Sequence, residues 1–124
     1  MTLKSKDINV RVGPSITEQL KFNYKCTLNP VQITAEFDNW RQIKDSEGNE
    51  GWIHEAMLDG RKYVKIINDK GTNIFRLPNN RSKVIAIAEK GFIAKLIECK
   101  GDWCKITLSN RHKGWVYKRE LWGA

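Results

Sequence analysis

The chain has 124 residues, 40% of them hydrophobic, and a formal net charge of +8. This length suits one ordinary domain or two very small ones, and the apolar content excludes a wholly disordered chain. The charge is uneven: residues 65–124 hold 13 basic and 5 acidic side chains, whereas residues 1–64 hold 9 of each. Either an anionic partner or a solvated, lysine-rich surface would account for this asymmetry.

The chain contains a tandem repeat of about 50 residues per copy, which decides its architecture. Matching residues recur at an offset of 64 in the opening segment of each copy and at an offset of 63 afterwards. The matches are Asn9 with Asn73, Pro14 with Pro78, Trp40 with Trp103, Gly51 with Gly114, Trp52 with Trp115 and Leu58 with Leu121.

The first copy is predicted to consist of short β-strands. Residues 31–37, VQITAEF, alternate apolar and polar side chains as a half-buried strand does. A turn at 38–39 leads into a second strand, WRQIKD, and the small polar residues that follow predict another turn before the strand GWI. A short helical turn is expected at HEAML. The segment 61–67, RKYVKII, is predicted to be a strand that closes this copy and leads into the next.

The second copy repeats this plan with GFIAKLIEC, a turn at 100–102, WCKITL, a polar turn through 109–110, and GWV. A short 3-10 turn is expected at KREL. No long segment has helical periodicity. The prediction is therefore an all-β chain of two tandem small β-barrels, each of about five short strands. The barrels are placed at residues 1–66 and 67–124, the second being more basic and more divergent.

The ordered motifs resemble those of the bacterial Src-homology-3 (SH3) family. Residues 9–58 carry N-V-R-x-G-P, a D-N-W turn and G-W-I, and residues 73–122 carry a divergent copy that opens with NIFRLP. The C-x-G-x-W-C element and the terminal ELWG look like those of a tandem subfamily of bacterial exported proteins. The resemblance implies two SH3-like barrels without a catalytic centre and a role in binding, often at the cell envelope.

Cys99 and Cys104 flank a four-residue turn, so they are predicted to face each other across a hairpin. Directly opposed residues in such a ladder have Cα atoms roughly 4.5 to 5.5 Å apart, within the disulfide range. The closed loop is short, so the predicted cystine would stabilise the fold by only about 2 kcal/mol. The alternative is a pair of buried thiols in a reducing cytosol.

Strand alternation gives a second argument for the cystine. Cys104 shares its face with the apolar residues that follow it, and alternation on the preceding strand places Ile97 and Cys99 against that face. In the first copy the aligned residues are Glu36 and Arg41, an opposite-charge pair. A cross-strand salt bridge in one copy would thus replace a cross-strand cystine in the other.

The sequence predicts no enzyme, no metal site and no cofactor. Cys26 is expected to be a free structural thiol, because neither His54 nor His112 lies in a recognisable catalytic motif that could activate it. The chain also lacks a phosphate-binding glycine loop and a signature of paired carboxylates. One Cys-x4-Cys pair without a second pair does not have the spacing of zinc ligands.

Trp40 and Trp103 are the aromatic candidates for a ligand site. Each is in phase with polar residues of its strand, so both are expected on the solvent side. In eukaryotic relatives of this fold the tryptophan after this turn forms part of the ligand groove, and the resemblance extends that role to both residues. The alternative is that each covers the edge of its barrel or packs against the other repeat. Trp52 and Trp115, each preceded by a glycine (Gly51, Gly114), resemble the position that packs the barrel and are interpreted as structural.

The second copy combines an aromatic side chain with several basic ones. Polyproline recognition is not expected, because the paired aromatic walls that it needs are missing. His54 stands in the short helical turn of the first copy, where polyproline-binding domains place Pro and Tyr. An exposed aromatic beside cations can stack on a sugar and pair with a carboxylate, both of which peptidoglycan offers. The candidate ligand-binding residues are Trp103, Tyr117, Lys118, Arg119, Arg111, Trp40 and His54.

These observations favour a non-catalytic binding module of the bacterial cell envelope that recognises peptidoglycan, as a cell-wall glycopeptide, or an envelope protein. One alternative is a protein–protein interaction or scaffold module without glycan affinity. Nucleic-acid binding through the basic second copy is the least favoured, since stacking and charge would support it but no motif does. A steep loss of affinity with salt would identify it.

The expected location is periplasmic or secreted. The cystine argues for an oxidising compartment. No apolar run approaches the ~20 residues of a membrane-spanning helix, so no transmembrane segment is expected. The opening residues MTLKSKDINV contain no signal-peptide core, so a periplasmic or secreted location presumes that an export signal has been removed. A cytoplasmic location is the alternative, and the oligomeric state stays open because exposed edge strands can pair between chains.

Overall fold

The structure, a computed structural model, describes residues 1–4, 6–25, 28–109 and 112–124. They form two compact units, Met1–Arg61 and Lys62–Ala124. Within the described ranges the only helical elements are two three-residue 3-10 turns, and no helix has the length and apolarity to cross a membrane. The predicted all-β fold in two tandem units is confirmed. The interpretation of Cys26 as a free thiol concerns a residue outside the described ranges.

The first unit contains a five-stranded antiparallel sheet in the order β3-β2-β6-β5-β4 and a separate pair, β1 with β7. Its elements are β1 Thr2–Leu3, β2 Ile8–Arg11, β3 Leu20–Tyr24, β4 Gln32–Phe37, β5 Trp40–Lys44, β6 Glu50–His54, the 3-10 turn Glu55–Met57 and β7 Leu58–Asp59. The core is built from the inward side chains of these strands, which include Ile8, Val10, Ile43 and Ile53.

The second unit contains one sheet in the order β10-β9-β13-β12-β11-β8-β14. Its elements are β8 Tyr63–Ile66, β9 Thr72–Phe75, β10 Val84–Ala88, β11 Ile93–Lys100, β12 Trp103–Ser109, β13 His112–Tyr117, the 3-10 turn Lys118–Glu120 and β14 Leu121–Trp122. Its core includes Val64, Ile74, Ile106 and Val116.

The strand in the segment 61–67 belongs to the second unit, so the prediction that it closes the first unit was wrong. β8 pairs with β11 and β14, and its Val64 and Ile66 are buried in the second core. The two compact units divide between Arg61 and Lys62 rather than between residues 66 and 67. β8 corresponds to β1, because Leu3 pairs with Leu58 as Ile66 pairs with Leu121.

Each unit brings one strand very close to a glycine of another. A Cβ atom at position 51 would lie 2.2 Å from the Cγ1 of Val10, and one at position 114 would lie 2.3 Å from the Cγ2 of Ile74. Only a residue without a side chain fits at such a distance. The two glycines therefore set how tightly β6 packs on the first core and β13 on the second.

The hairpin of β11 and β12 carries the cystine. Cys99 pairs with Cys104 across the ladder, their Cα atoms are 4.0 Å apart, and the disulfide is formed as predicted. A β-bulge between Leu96 and Glu98 shifts the register by one residue. The expectation that Ile97 faces the core was therefore wrong, because the bulge turns its side chain outward and leaves it 39% exposed.

Candidate functional site

The hairpin turn of the second unit places Trp103 at the start of β12. Gly101 in this turn has a φ of 58°, in the left-handed region that glycine adopts without a steric penalty. Trp103 then pairs directly with Tyr117, the last residue of β13. The side chains of Trp103 and Lys105 lie on the opposite face from the buried Cys104 and Ile106, as the alternation predicted.

Three aromatic side chains meet at this point, and we call Phe75, Trp103 and Tyr117 the aromatic cluster. The ring centroids of Trp103 and Tyr117 are 4.0 Å apart, with the planes tilted by 30°. Phe75, at the end of β9, is edge-on to both, at 5.4 Å from Trp103 and 6.3 Å from Tyr117. Phe75 is buried, whereas the other two rings are partly exposed. The buried ring therefore supports two rings that a ligand can reach.

Two cations stand beside the aromatic cluster on the second 3-10 turn. The guanidinium carbon of Arg119 lies 4.2 Å from the ring centroid of Tyr117, a cation–π contact. The backbone N–H of Lys118 donates to the carbonyl of Asp102 at 2.8 Å, which ties the 3-10 turn to the hairpin turn. Both side chains are exposed, and among the described residues neither forms an ion pair with a carboxylate. They are available to an anionic group of a ligand.

Depressions lie on two sides of Tyr117 and Arg119. The larger has a volume of about 310 Å³ and extends past Phe75 and Thr72 toward β10. The smaller, about 190 Å³, lies between this pair and the hairpin turn at Asp102. An extended ligand with alternating bulky and charged groups could therefore follow this surface across the aromatic ring and the cation.

The first unit does not reproduce this arrangement. Trp40 pairs with His54, and their rings are 5.6 Å apart at 78°. The Nδ1 of His54 accepts a hydrogen bond from the backbone N–H of Ala56, so it caps the first 3-10 turn. By the repeat offsets, Arg11 stands where Phe75 stands and Ala56 where Arg119 stands. The unit thus lacks the third ring and the cation.

Trp52 and Trp115, interpreted from the sequence as structural, are not members of the two buried core clusters. The neighbouring Ile53 and Val116 fill the two cores instead. Trp115 is only 7% exposed, because it is covered on the outer face: Lys100 and Lys105 each place Nζ 5.9 Å from its ring centroid. Its role in packing is on the outer surface of the sheet.

Trp103, Tyr117, Lys118 and Arg119, which were predicted from the sequence as ligand-binding residues, lie side by side in the structure. Phe75 was not predicted. The sequence did contain a signal for it: in the opening motif the second copy has the aromatic Phe75 where the first copy has Arg11. Arg111 lies outside the described residues. In the described ranges no three His, Cys, Asp or Glu side chains come together as metal ligands.

The fold defines a pair of tandem, small all-β units. The family model described as bacterial SH3 domain matches the chain twice, over residues 4–60 and 68–123. The chain belongs to the bacterial SH3 domain family, and the resemblance drawn from its motifs is confirmed. Domains of this type are generally binding modules. No curated protein matches the chain in sequence comparison.

Proposed function

We propose that the protein is a non-catalytic binding module of the bacterial cell envelope and that its second unit recognises peptidoglycan. The observation that carries this proposal is the stacked pair of Trp103 and Tyr117 with Arg119 held 4.2 Å above the tyrosine ring. Because Trp103 and Arg119 both lie over the ring of Tyr117, the partly exposed ring of Trp103 is the one that offers a flat apolar surface to the C–H face of a sugar.

The charge of the site supports a ligand with carboxylates. Arg119 and Lys118 extend from one short turn, and residues 65–124 carry the excess of basic side chains. A guanidinium binds a carboxylate through two parallel hydrogen bonds, which gives direction as well as energy. The glycan strands and stem peptides of peptidoglycan provide sugars and carboxylates next to each other.

The cystine supports a location in the envelope. The bridge joins Cys99, which is exposed, to Cys104, which is buried. A disulfide of this kind persists in an oxidising compartment such as the periplasm and would be kept reduced in a bacterial cytosol.

Co-sedimentation with isolated peptidoglycan sacculi at low and moderate salt tests the proposal. We expect retention at moderate salt that falls about tenfold in Trp103→Ala, which corresponds to about 1.4 kcal/mol. Trp40→Ala is the matched control, since it removes the equivalent ring from the unit without the cation, and it should leave retention unchanged. Retention that disappears with salt in the wild type would show only non-specific adsorption of a cationic protein. Equal losses in both variants would also contradict the proposal.

A further inference from the structure

A further recess in the second unit lies beside β10, the strand at the edge of the sheet. Its volume is about 480 Å³, and its wall includes Ala86, Ala88, Phe92 and Leu108. Ala86 and Leu108 are partly buried and pack against the core. The recess therefore opens from the surface toward the apolar interior.

The first unit has large side chains at the corresponding places. Tyr24 pairs with Ile8 as Ala88 pairs with Thr72, and Phe22 pairs with Val10 as Ala86 pairs with Ile74. The register thus equates Tyr24 with Ala88 and Phe22 with Ala86. At the offset of 63 that holds along β5 and β12, Asp45 corresponds to Leu108.

Those side chains form a plug in the first unit. The Tyr24 hydroxyl donates a 2.7 Å hydrogen bond to the Oδ2 of Asp45, and the Phe22 ring meets the Tyr24 ring edge-on at 5.1 Å. Tyr24 and Asp45 are both buried. In the second unit the two rings are reduced to methyl groups and the carboxylate to an apolar side chain. The space that the first unit fills with its own aromatic ring is thus available to a ring from another molecule.

The edge beside the recess suits an extended segment. In the described structure β10 has one neighbour, β9, so its outer backbone groups are available to a further strand. Ile87 is 71% exposed on this edge. Exposed apolar side chains and a pocket for one alternate side chain are the features by which sheets bind peptides through strand addition.

The positive charge near the start of β10 indicates that the binding segment of the partner is negatively charged. Arg76, Arg81 and Lys83 are exposed, and within the described residues none of their side chains forms an ion pair. Lys90, at the other end of the strand, is held by Asp69 at 2.6 Å and does not contribute in the same way. A second copy of this chain, with its own charge of +8, would be repelled.

We propose that β10 and its recess form a docking site for an extended, acidic segment of a partner protein, which inserts one aromatic side chain where Tyr24 lies in the first unit. Main-chain pairing along β10 supplies the alignment, and the cations at its start bind the acidic residues. This site does not use the aromatic cluster, although Ile87 lines both the recess and the larger depression beside Tyr117.

Fluorescence polarisation of the full chain with a labelled ten-residue peptide tests this proposal. The peptide alternates Thr and Val around a central Tyr and carries three Glu at one end. Ala88→Tyr with Leu108→Asp restores the plug of the first unit and should weaken binding about tenfold or more. Ala86→Phe, a single change that narrows the same recess, should act in the same direction if the double variant does not fold. A peptide with Ala in place of Tyr is the matched ligand control.

The outcomes separate the possible occupants. The proposal is supported if the wild type binds the peptide, the plug variants do not, and the peptide with Ala in place of Tyr is not bound. In NMR spectra of the wild type, the peptide should then shift the methyl signals of Ala86, Ala88 and Leu108. Binding that survives both changes would reduce the site to charge attraction and overturn it. Dimerisation in sedimentation that Ile87→Lys abolishes would assign the edge to a second copy and also overturn it. Sacculus binding should be unchanged in the plug variants, so failure of either function is visible separately.

Discussion

Glu36 lies directly opposite Arg41 across the first hairpin, and its Oε1 is 3.4 Å from the Nε of Arg41. Cys99 and Cys104 occupy the same two positions in the second hairpin. Both hairpins also have a bulge at the same place, after Ile33 in one and after Leu96 in the other. The backbone therefore offers one site for a cross-strand link, which the two units fill with different chemistry.

Glu36→Cys with Arg41→Cys should form a disulfide in the first unit, because the cysteines would be directly opposed there as they are in the second. A cystine closing this short loop contributes about 2 kcal/mol. The ion pairs of Arg41 with Glu36 and Glu55 that it replaces contribute at most about 1 kcal/mol each, since both carboxylates are in contact with solvent. Intact mass after alkylation would detect the crosslink. Full alkylation of the new cysteines without reductant would refute the equivalence of the two hairpins.

Replacing the native cystine by Cys99→Ala with Cys104→Val should lower the free energy of unfolding by about 2 kcal/mol, mainly because the unfolded chain regains freedom. Valine keeps position 104 apolar, which matters because Cys104 is completely buried. Urea unfolding with and without dithiothreitol measures the effect. The reductant should destabilise the wild type and leave this variant unaffected, and an equal response in both would contradict the prediction.

Gly114→Ala should destabilise the second unit by about 1–3 kcal/mol, because the added methyl would overlap the Ile74 side chain and force the strands apart. Gly51→Ala should act in the same way on Val10 in the first unit. Gly60→Ala is the control, since a Cβ there meets no atom within 4 Å. Thermal unfolding followed by circular dichroism would rank the three, and a neutral Gly114→Ala would be inconsistent with the close approach.

The pair of Tyr24 and Asp45 should make the first unit sensitive to pH at both extremes. Desolvation alone would raise the pKa of Asp45, but hydrogen bonds from Tyr24, Asn49 and Glu47 outweigh it and lower the pKa. Burial, with the hydrogen bond to Asp45, raises the pKa of Tyr24 above its ordinary value.

A lowered carboxyl pKa stabilises the fold above the unfolded value of about 3.9, and that stability is lost as the pH falls through the folded value. A raised phenol pKa stabilises the fold below about 10, and that stability is lost as the pH rises further. Tyr24→Phe should flatten both limbs of a plot of unfolding free energy against pH. Limbs as steep in the variant as in the wild type would assign the dependence to other groups.

Local features of the fold were predictable because they rest on neighbours in sequence. The offset of 63 aligned Trp40 with Trp103, and alternation across a short turn paired Cys99 with Cys104. Strand β8 was misplaced because its partners, β11 and β14, are distant in the chain and an alternating apolar pattern does not say which core it enters. The bulge at Ile97 breaks the alternation of β11, so residues before and after it cannot be assigned to a face by one pattern. No residue type in this segment predicts a bulge.

The candidate sites were predictable to different degrees for a related reason. Trp103, Tyr117 and Arg119 are chemically conspicuous, so their grouping could be inferred from a register that the repeat supplied. The recess beside β10 exists because Ala86 and Ala88 are small. Two alanines in a strand give no sequence signal that a recess is present. It became visible only when the structure equated these alanines with Phe22 and Tyr24.

The pairing of β1 with β7 and of β8 with β14 has a consequence for how tandem proteins of this kind evolve by duplication. It places the first and last strands of each unit side by side, and only three residues, Gly60 to Lys62, join Asp59 to Tyr63. A unit whose chain enters and leaves at one point can be copied, deleted or circularly permuted without rethreading its neighbours. Duplication followed by separate sequence change in the two copies would then give one unit whose recess is filled by its own side chains and one whose recesses are open.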